Sequence, residues 1–370
     1  MTTERPSLTS ALNTLVHRAI QQAGGWLPFD RFMAMALYAP GLGYYANDSQ
    51  KFGQMPSSGS DFVTAPELSP LFGRALAAQV AEALAATGTH DVWEFGAGSG
   101  ALAVQLLGAL GDTARSYTIV ELSASLRARQ QAALAGYAGK VQWVNELPAQ
   151  LQGVVVGNEV LDAMPVKLLQ RLRGDWMERG VVAGQPKPDG TPSLAWADRS
   201  TALRPPMEVD GPHDYLTEIH PQAEAFMRTL ADRLQQGAAF LLDYGFAESE
   251  YYHPQRHMGT LMCHRAHLAD ADPLADLGLK DITAHVNFTG VALAAQEAGL
   301  PTVGYTTQAR FLMNCGLVDM LEGAALPERA NALKLIHEHE MGELFKVIAL
   351  SRQPDWLPMG FAQGDRMDRL

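Results

Sequence analysis

Glycines 96, 98 and 100 stand in the run Trp93-Glu-Phe-Gly-Ala-Gly-Ser-Gly-Ala101, between a strand-like segment and a helix-like one. Without Cβ atoms the backbone can turn tightly and approach a ligand, and the helix N-terminus behind the turn offers free N–H groups. Glu121 closes the next predicted strand, where a carboxylate can accept two hydrogen bonds from ribose hydroxyls. Two chemistries fit these elements. Gly96, Gly98 and Ala101 satisfy the degenerate dinucleotide fingerprint. Glu94, however, lies two positions before Gly96 and would repel a pyrophosphate. It suits a ligand with an ammonium group and a positive sulfonium, which favours S-adenosyl-L-methionine and leaves NAD(P)-dependent oxidoreduction as the least favoured alternative. A ligand-free structural turn is the bland alternative; strand, three glycines, helix and two acids together argue against it.

A methyl donor is already activated, so the protein mainly positions a nucleophile and excludes water. If the acceptor is arginine, as the resemblance given below implies, its guanidinium needs carboxylates that grip it in a fork. Asn158 and Glu159 follow the fourth predicted strand, whose end faces the cofactor crevice of a doubly wound fold. Glu159 is the first candidate for the acceptor site and Asp162 the second; helix or turn capping is the competing role for both. Asp243-Tyr244 ends the fifth predicted strand and completes an acidic pocket, with a structural hydrogen bond from Tyr244 as the alternative. His253, His257, Cys263, His264 and His267 crowd together, but their spacing is looser than that of established zinc sites, and no metal is expected. His285 and Asn287 precede a predicted helix start at Thr289 and read equally as capping or pocket residues.

These residues need a scaffold. From His90 onward, strand and helix patterns alternate: Asp91–Phe95, the helix Ala101–Leu110, Tyr117–Val120, the helix Ser123–Leu134, Val141–Val144 and Gly153–Gly157. Continuous β-branched runs such as Val154-Val155-Val156 suit a parallel sheet covered on both faces. The rhythm predicts an open, doubly wound α/β core over 86–165 and 220–353, with a helix Pro221–Gln235, a fifth strand Ala238–Leu242, a strand near Tyr305 and a last one at Phe345–Leu350. Residues 1–85 are expected to be a helical region, with helices Leu8–Gln22, Phe29–Tyr38 and Leu71–Ala86 and a Gly/Ser/Pro-rich loop over 41–70. Segments 166–219 and 246–300 are expected to be insertions, large enough to build a groove for a protein chain.

Composition narrows the classes. The 370 residues carry 28 basic and 40 acidic side chains, net −12, and no run of four Lys/Arg, which speaks against a nucleic-acid backbone binder. Two cysteines exclude a disulfide scaffold and fit a reducing compartment. No stretch of 18 apolar residues argues for a membrane span, and MTTERPSLTSALNTL lacks the order of a signal peptide, so a cytoplasmic location is expected.

The blocks SDFVTAPELSPLFG (60–73), WEFGAGSGALA (93–103), GNEVLDAMPV (157–166), LLDYGF (241–246), YYHPQRHMGTLMCH (251–264), DITAHVNFT (281–289) and GYTTQARFL (304–312) resemble the MidA-type class I S-adenosylmethionine-dependent methyltransferases. These are similar to the mitochondrial arginine methyltransferase that assists complex I assembly. The glycine block is widespread; TAPELS and NEVLDAMPV are far more specific. The resemblance implies a Rossmann-like seven-stranded sheet with a reversed final hairpin, S-adenosyl-L-methionine as cofactor, and a protein arginine acceptor, with a complex I subunit as the relative's precedent. It implies a lid role for the 41–70 loop with Asp61, Thr64 and Glu67, the bland alternative being that Pro66 and Glu67 simply start a helix. It also implies an adenine contact near Asn145-Glu146, where a solvated turn competes. A non-catalytic assembly factor that keeps the donor site, and a small-molecule methyltransferase, remain the other functional classes.

Overall fold

Apolar β-branched runs pair side by side because only a sheet covered on both faces buries both of their sides. In the computed structural model, which describes residues 7–47, 63–188, 190–265, 268–353 and 355–370, seven such strands form the main sheet. We number them β1 (Asp91–Phe95), β2 (Ser116–Val120), β3 (Val141–Val144), β4 (Leu151–Asn158), β5 (Leu234–Phe246), β6 (Thr302–Thr307) and β7 (Phe345–Ser351). Their spatial order is β3-β2-β1-β4-β5-β7-β6. Pairing is parallel from β3 to β5, while β7 runs antiparallel to both β5 and β6. The reversed final hairpin is therefore present. The two-residue strand Val286–Asn287 adds to the end of β5.

The order reverses between β1 and β4, so their C-terminal ends leave a crevice, the ligand position of doubly wound folds. One side of the sheet is covered by helices Pro70–Thr87 and Ala101–Leu110, which share a core with Val92, Val154, Phe240 and Val347. The other is covered by Pro221–Arg233 and Phe288–Glu297, packed on Phe95, Val155, Leu241 and Ile348.

Two expectations change. The helix Phe288–Glu297 buries Phe288, Val291 and Ala295 in the main core, so the second insertion ends before it rather than at residue 300. The N-terminal region is not one helical unit. Leu27–Pro28 pairs with Asp175–Ala183, joining the antiparallel sheet that Lys167–Leu172, Asp175–Ala183, Leu194–Ser200 and Tyr215–Ile219 build within 166–219. Helices Leu8–Gln22 and Phe29–Tyr38 cover that sheet through Leu12, Val16, Phe32 and Met33, while Pro70–Thr87 belongs to the main core. Within the second insertion, Met262–Arg265, Leu268–Asp270 and Asp281–Thr283 form a small antiparallel sheet.

Candidate active site

At the crevice lies a cavity of about 640 Å³ that reaches from the glycine turn to the ends of β4 and β5. Its donor end is built from Glu94 on β1, Gly96, Ala97, Ser99 and Ala101 of the turn, Thr64, and Asn158 at the end of β4. Gly96, Gly98 and Gly100 all have positive φ, at 63°, 52° and 87°. A Cβ on Gly96 would stand 2.9 Å from Val160 Cγ2, so the turn lies against the β4 loop with no room for a side chain. Gly98 and Gly100 do not line the cavity; they shape the turn, and Gly100 starts the helix Ala101–Leu110.

Glu94 is buried and accepts a 2.7 Å hydrogen bond from the Tyr117 hydroxyl. Burial pushes its carboxyl up to about 8, against that hydrogen bond and with help from Glu121. Asn158 Oδ1 is buried at the cavity wall without a hydrogen-bond partner among the described residues. A carboxylate and an orphaned amide oxygen beside a glycine cradle are what a ligand bearing an ammonium and a sulfonium needs, so these residues fit S-adenosyl-L-methionine.

Glu121 ends β2 behind the turn and does not line the cavity. Its carboxylate accepts from Ser123 N at 2.7 Å and from Gln130 Nε2 at 2.9 Å, which leaves lone pairs for further donors. Gln130 is one residue here that the sequence did not single out. Its amide also donates to Gly98 O and accepts from Trp143 Nε1, tying turn, β2 and β3 together. No local pattern marks a glutamine in mid-helix for that task. Glu146 is exposed and outside the cavity, and Asn145 is held by Arg127. Glu67 also lies outside the lining, in the short helix Ala65–Leu68, where it is an acidic first-turn residue. Asp61 and His267, and residues 48–62 of the 41–70 loop, fall outside the described residues.

The acceptor end gathers Glu159, Asp162 and Asp281 with Tyr45, Tyr244, Thr283, His285 and Phe345. Glu159 has φ 54°, a left-handed conformation that a side-chain-bearing residue adopts at a cost of about 1–2 kcal/mol. Asn158 Nδ2 donates to its Oε1 at 3.0 Å. Burial first, then the neighbouring Asp162, pushes the Glu159 carboxyl up to about 8, while Asn158 and the Ala65 backbone pull it down. The TAPELS segment thus touches the Glu159 carboxylate. Asp162 accepts a 2.6 Å hydrogen bond from the Tyr244 hydroxyl, and burial raises its carboxyl to about 6. Tyr45 donates to Asp281 at 2.8 Å. Asp281 and Thr283 share one short strand, but Tyr45 and the segment after β4 are distant from it in sequence, which is why the sequence did not single them out as a group.

Asp243 is a correction. It does not line the cavity. Its Oδ2 accepts from the main-chain N–H groups of Val160, Leu161 and Asp162 at 3.1, 2.8 and 3.2 Å, and its Oδ1 from Tyr244 N at 2.9 Å. A carboxylate occupied in this way holds the turn that carries Glu159 and Asp162. Burial, Asp162 and Glu159 push its proton affinity up; the N–H donors oppose them.

The His/Cys cluster disperses. Cys263 is buried among the N-terminal helices, His264 lines the cavity, and His253 and His257 are exposed. Among the described residues no three His, Cys, Asp or Glu side chains are placed to hold a metal ion.

Residues 75–306 match the family model of the S-adenosyl-L-methionine-dependent methyltransferases, about the whole span from the helix before β1 to β6. This chain belongs to that family. The methyltransferase is 48% identical, over the full length of both chains and with a TM-score of 0.92, to a COG1565 superfamily protein of Burkholderia thailandensis whose crystal structure holds S-adenosyl-homocysteine. It is 26% identical to the mitochondrial protein arginine methyltransferase NDUFAF7 of Xenopus laevis, over 94% of this chain and 86% of the relative. The NDUFAF7 homologue of Drosophila melanogaster is also 26% identical, over 88% of this chain and 82% of its own length.

Proposed function

We propose that this methyltransferase modifies arginine side chains of a protein acceptor. The observation that carries the reading is the placement of Glu159, Asp162 and Asp281 in the same cavity as the glycine turn. A guanidinium is a planar cation with donors only, and a ring of carboxylates backed by Tyr45, Tyr244 and Phe345 offers acceptors and aromatic faces to it. The relatives named protein arginine methyltransferases support the same acceptor.

When bound, S-adenosyl-L-methionine supplies a methyl group activated by the sulfonium charge. Glu94, Asn158 and the turn at Gly96–Ser99 would hold it. Glu159 and Asp162 grip the guanidinium and orient one of its nitrogens toward the donor end. Glu159, whose burial raises its affinity for protons, takes the proton that the methylated nitrogen must shed. Tyr244 holds Asp162 in place through its hydroxyl. The aromatic and aliphatic lining, including Leu344 and Phe345, keeps water from the transfer.

We further propose a respiratory complex I subunit as the acceptor and a cytoplasmic location for the enzyme. The test is transfer of label from tritiated S-adenosyl-L-methionine to proteins of a source-cell lysate lacking the enzyme, followed by total hydrolysis. Labelled methylarginine in wild type and none with Glu159→Gln supports the reading. Label in another amino acid or in small metabolites overturns it.

A further inference from the structure

We propose that His285 recognises the acceptor, its imidazole taking a hydrogen bond from a guanidinium N–H, and that Glu218 is the positioning residue that fixes the imidazole there; the inference rests on the arginine reading above. The sequence left His285 and Asn287 between capping and pocket roles, and the structure separates them. Asn287 caps the helix Phe288–Glu297, its Oδ1 accepting from Gly290 N at 3.3 Å. His285 instead lines the cavity. Its ring meets Tyr244 and Phe246 edge to face, with centroids 5.2 Å from each.

Among the described residues nothing hydrogen-bonds to either ring nitrogen of His285, and Nδ1 is buried. An imidazole with an unused lone pair inside an acceptor pocket is expensive unless a ligand supplies the donor. Burial, Arg256 and Lys346 push its proton affinity down to about 4. It therefore stays neutral near pH 7, does not repel a cation, and keeps a lone pair for an N–H. The carboxylates of the pocket supply charge; His285 supplies a neutral acceptor on a different wall, which adds direction to the grip.

Both main-chain groups of His285 are tied down. Its N–H donates to Thr260 Oγ1 at 3.0 Å, and its carbonyl accepts from His220 Nε2 at 3.0 Å. Thr260 and His220 converge on Glu218, a fully buried carboxylate at the end of Tyr215–Ile219. Glu218 Oε1 accepts from Thr260 N at 2.9 Å and Leu261 N at 3.1 Å. Its Oε2 accepts from Thr260 Oγ1 at 3.1 Å and from the Tyr251 hydroxyl at 2.8 Å. That hydroxyl lies 3.3 Å from His220 Nε2. A Cβ on Gly259 would sit 2.5 Å from Glu218 Oε1, so the loop Gly259–Leu261 is pressed against the carboxylate. Glu218 itself is not part of this cavity's lining. Four donors on one buried carboxylate fix the cavity-lining loop and, through Thr260, the main-chain N–H of His285, while His220 beside Tyr251 holds its carbonyl.

The probe is N-acetyl-arginine methylamide, titrated by NMR into the full-length protein saturated with S-adenosyl-homocysteine, with N-acetyl-lysine methylamide as the control. Wild type is expected to prefer the arginine probe. His285→Ala and His285→Phe weaken it about tenfold, the loss expected for a hydrogen bond to a charged donor. His285→Gln keeps an acceptor at similar reach and restores binding to within about threefold. All three leave the affinity for S-adenosyl-homocysteine unchanged. Glu218→Gln weakens the probe as well, and His285→Ala added to it costs nothing more, because the imidazole is already misplaced; Thr260→Val gives the same coupling should Glu218→Gln fail to fold. If wild type shows no preference for arginine, the arginine reading and this inference both fall. If the preference stands and His285→Phe binds as well as wild type, this inference alone falls. Additive losses for Glu218→Gln and His285→Ala remove the positioning role.

Discussion

Asp243→Asn asks whether a carboxylate at the end of β5 does chemistry or holds a turn. Asp243 satisfies four main-chain N–H groups, three of them in the turn from Val160 to Asp162. Removing the side chain altogether leaves four donors with little access to water, at about 1–3 kcal/mol each. The sum, about 4–12 kcal/mol, rivals the whole stability of a typical domain, so Asp243→Ala is expected to be largely unfolded or to rebuild the turn. Asparagine is the informative change. It can keep one oxygen on the three turn donors, while its NH2 replaces the oxygen that faced Tyr244 N. One bond and the charge on the others are lost, about 2–4 kcal/mol. Melting should fall by several degrees. Glu159 begins that turn and has the strained φ of 54°, so it loses its fixed placement and transfer falls about 10- to 100-fold. The donor end is anchored separately by β1 and the glycine turn, so S-adenosyl-homocysteine should bind within about threefold of wild type. Differential scanning fluorimetry, calorimetric titration with S-adenosyl-homocysteine and tritium transfer read the three quantities. Asp243→Asn melting with wild type while losing all transfer would refute the positional account and put this charge into the chemistry.

Glu159→Gln keeps shape but removes charge and proton acceptor; transfer should fall at least about 100-fold with S-adenosyl-homocysteine affinity nearly unchanged, and equal loss of both contradicts the assigned place. Gly96→Ala places a Cβ in a positive-φ position 2.9 Å from Val160 Cγ2, so stability should fall by about 1–2 kcal/mol and donor affinity by tenfold or more in calorimetry. Gln130→Ala frees Gly98 O, Glu121 and Trp143 Nε1 together, and should weaken the donor more than any acceptor probe in the same titrations. The pH dependence has a defined sign. Glu94 and Glu159 have folded values of about 8, above their ordinary 4.5, so each destabilises the free protein progressively as pH rises from 4.5 to 8. His220 and His285, near 4 instead of 6.5, destabilise it as pH falls from 6.5 to 4. The two effects oppose each other between 4.5 and 6.5, so these four groups predict a plateau there and a fall from 6.5 to 8 of order 1 kcal/mol per pH unit per carboxyl. Melting temperature against pH tests this, and S-adenosyl-L-methionine, by bringing cations to Glu94, should flatten the fall.

Local chemistry made part of this legible. The helix Leu8–Gln22 and the strand Asp91–Phe95 have the bounds their periodicity and composition predict, and the glycine turn lies where strand and helix patterns meet. Partnerships distant in sequence were not legible. Leu27–Pro28 reads as a gap between two helices, and only its pairing with Val181 and Gly180 makes it a strand. The helix Phe288–Glu297 reads as part of an insertion because nothing local says which core its Phe and Val faces meet. The acidic motif after β4 was visible, but a carboxylate looks the same in sequence whether four N–H groups occupy it, as at Asp243, or it opens to a cavity, as at Glu159.

The charges in the cavity make a single argument about the order of events. Glu94, Glu159, Asp162 and Asp281 share one enclosure, and burial raises the first three toward or above neutrality. Ionising all of them in the free protein is costly, so at pH 7 some keep their protons. A cation at either end lowers the cost at its own end and pulls a proton off the nearest carboxyl. Once Glu94 is ionised beside the donor, the pair is close to neutral, so the bound donor does not repel a second cation at the acceptor end. If the guanidinium arrives with Glu159 ionised, the acid nearest the transfer is ready to take back a proton as the reaction proceeds. The same burial that makes the free site uncomfortable therefore ties the arrival of each cation to the loss of a proton, and proton release measured on adding each ligand in turn reports that linkage directly.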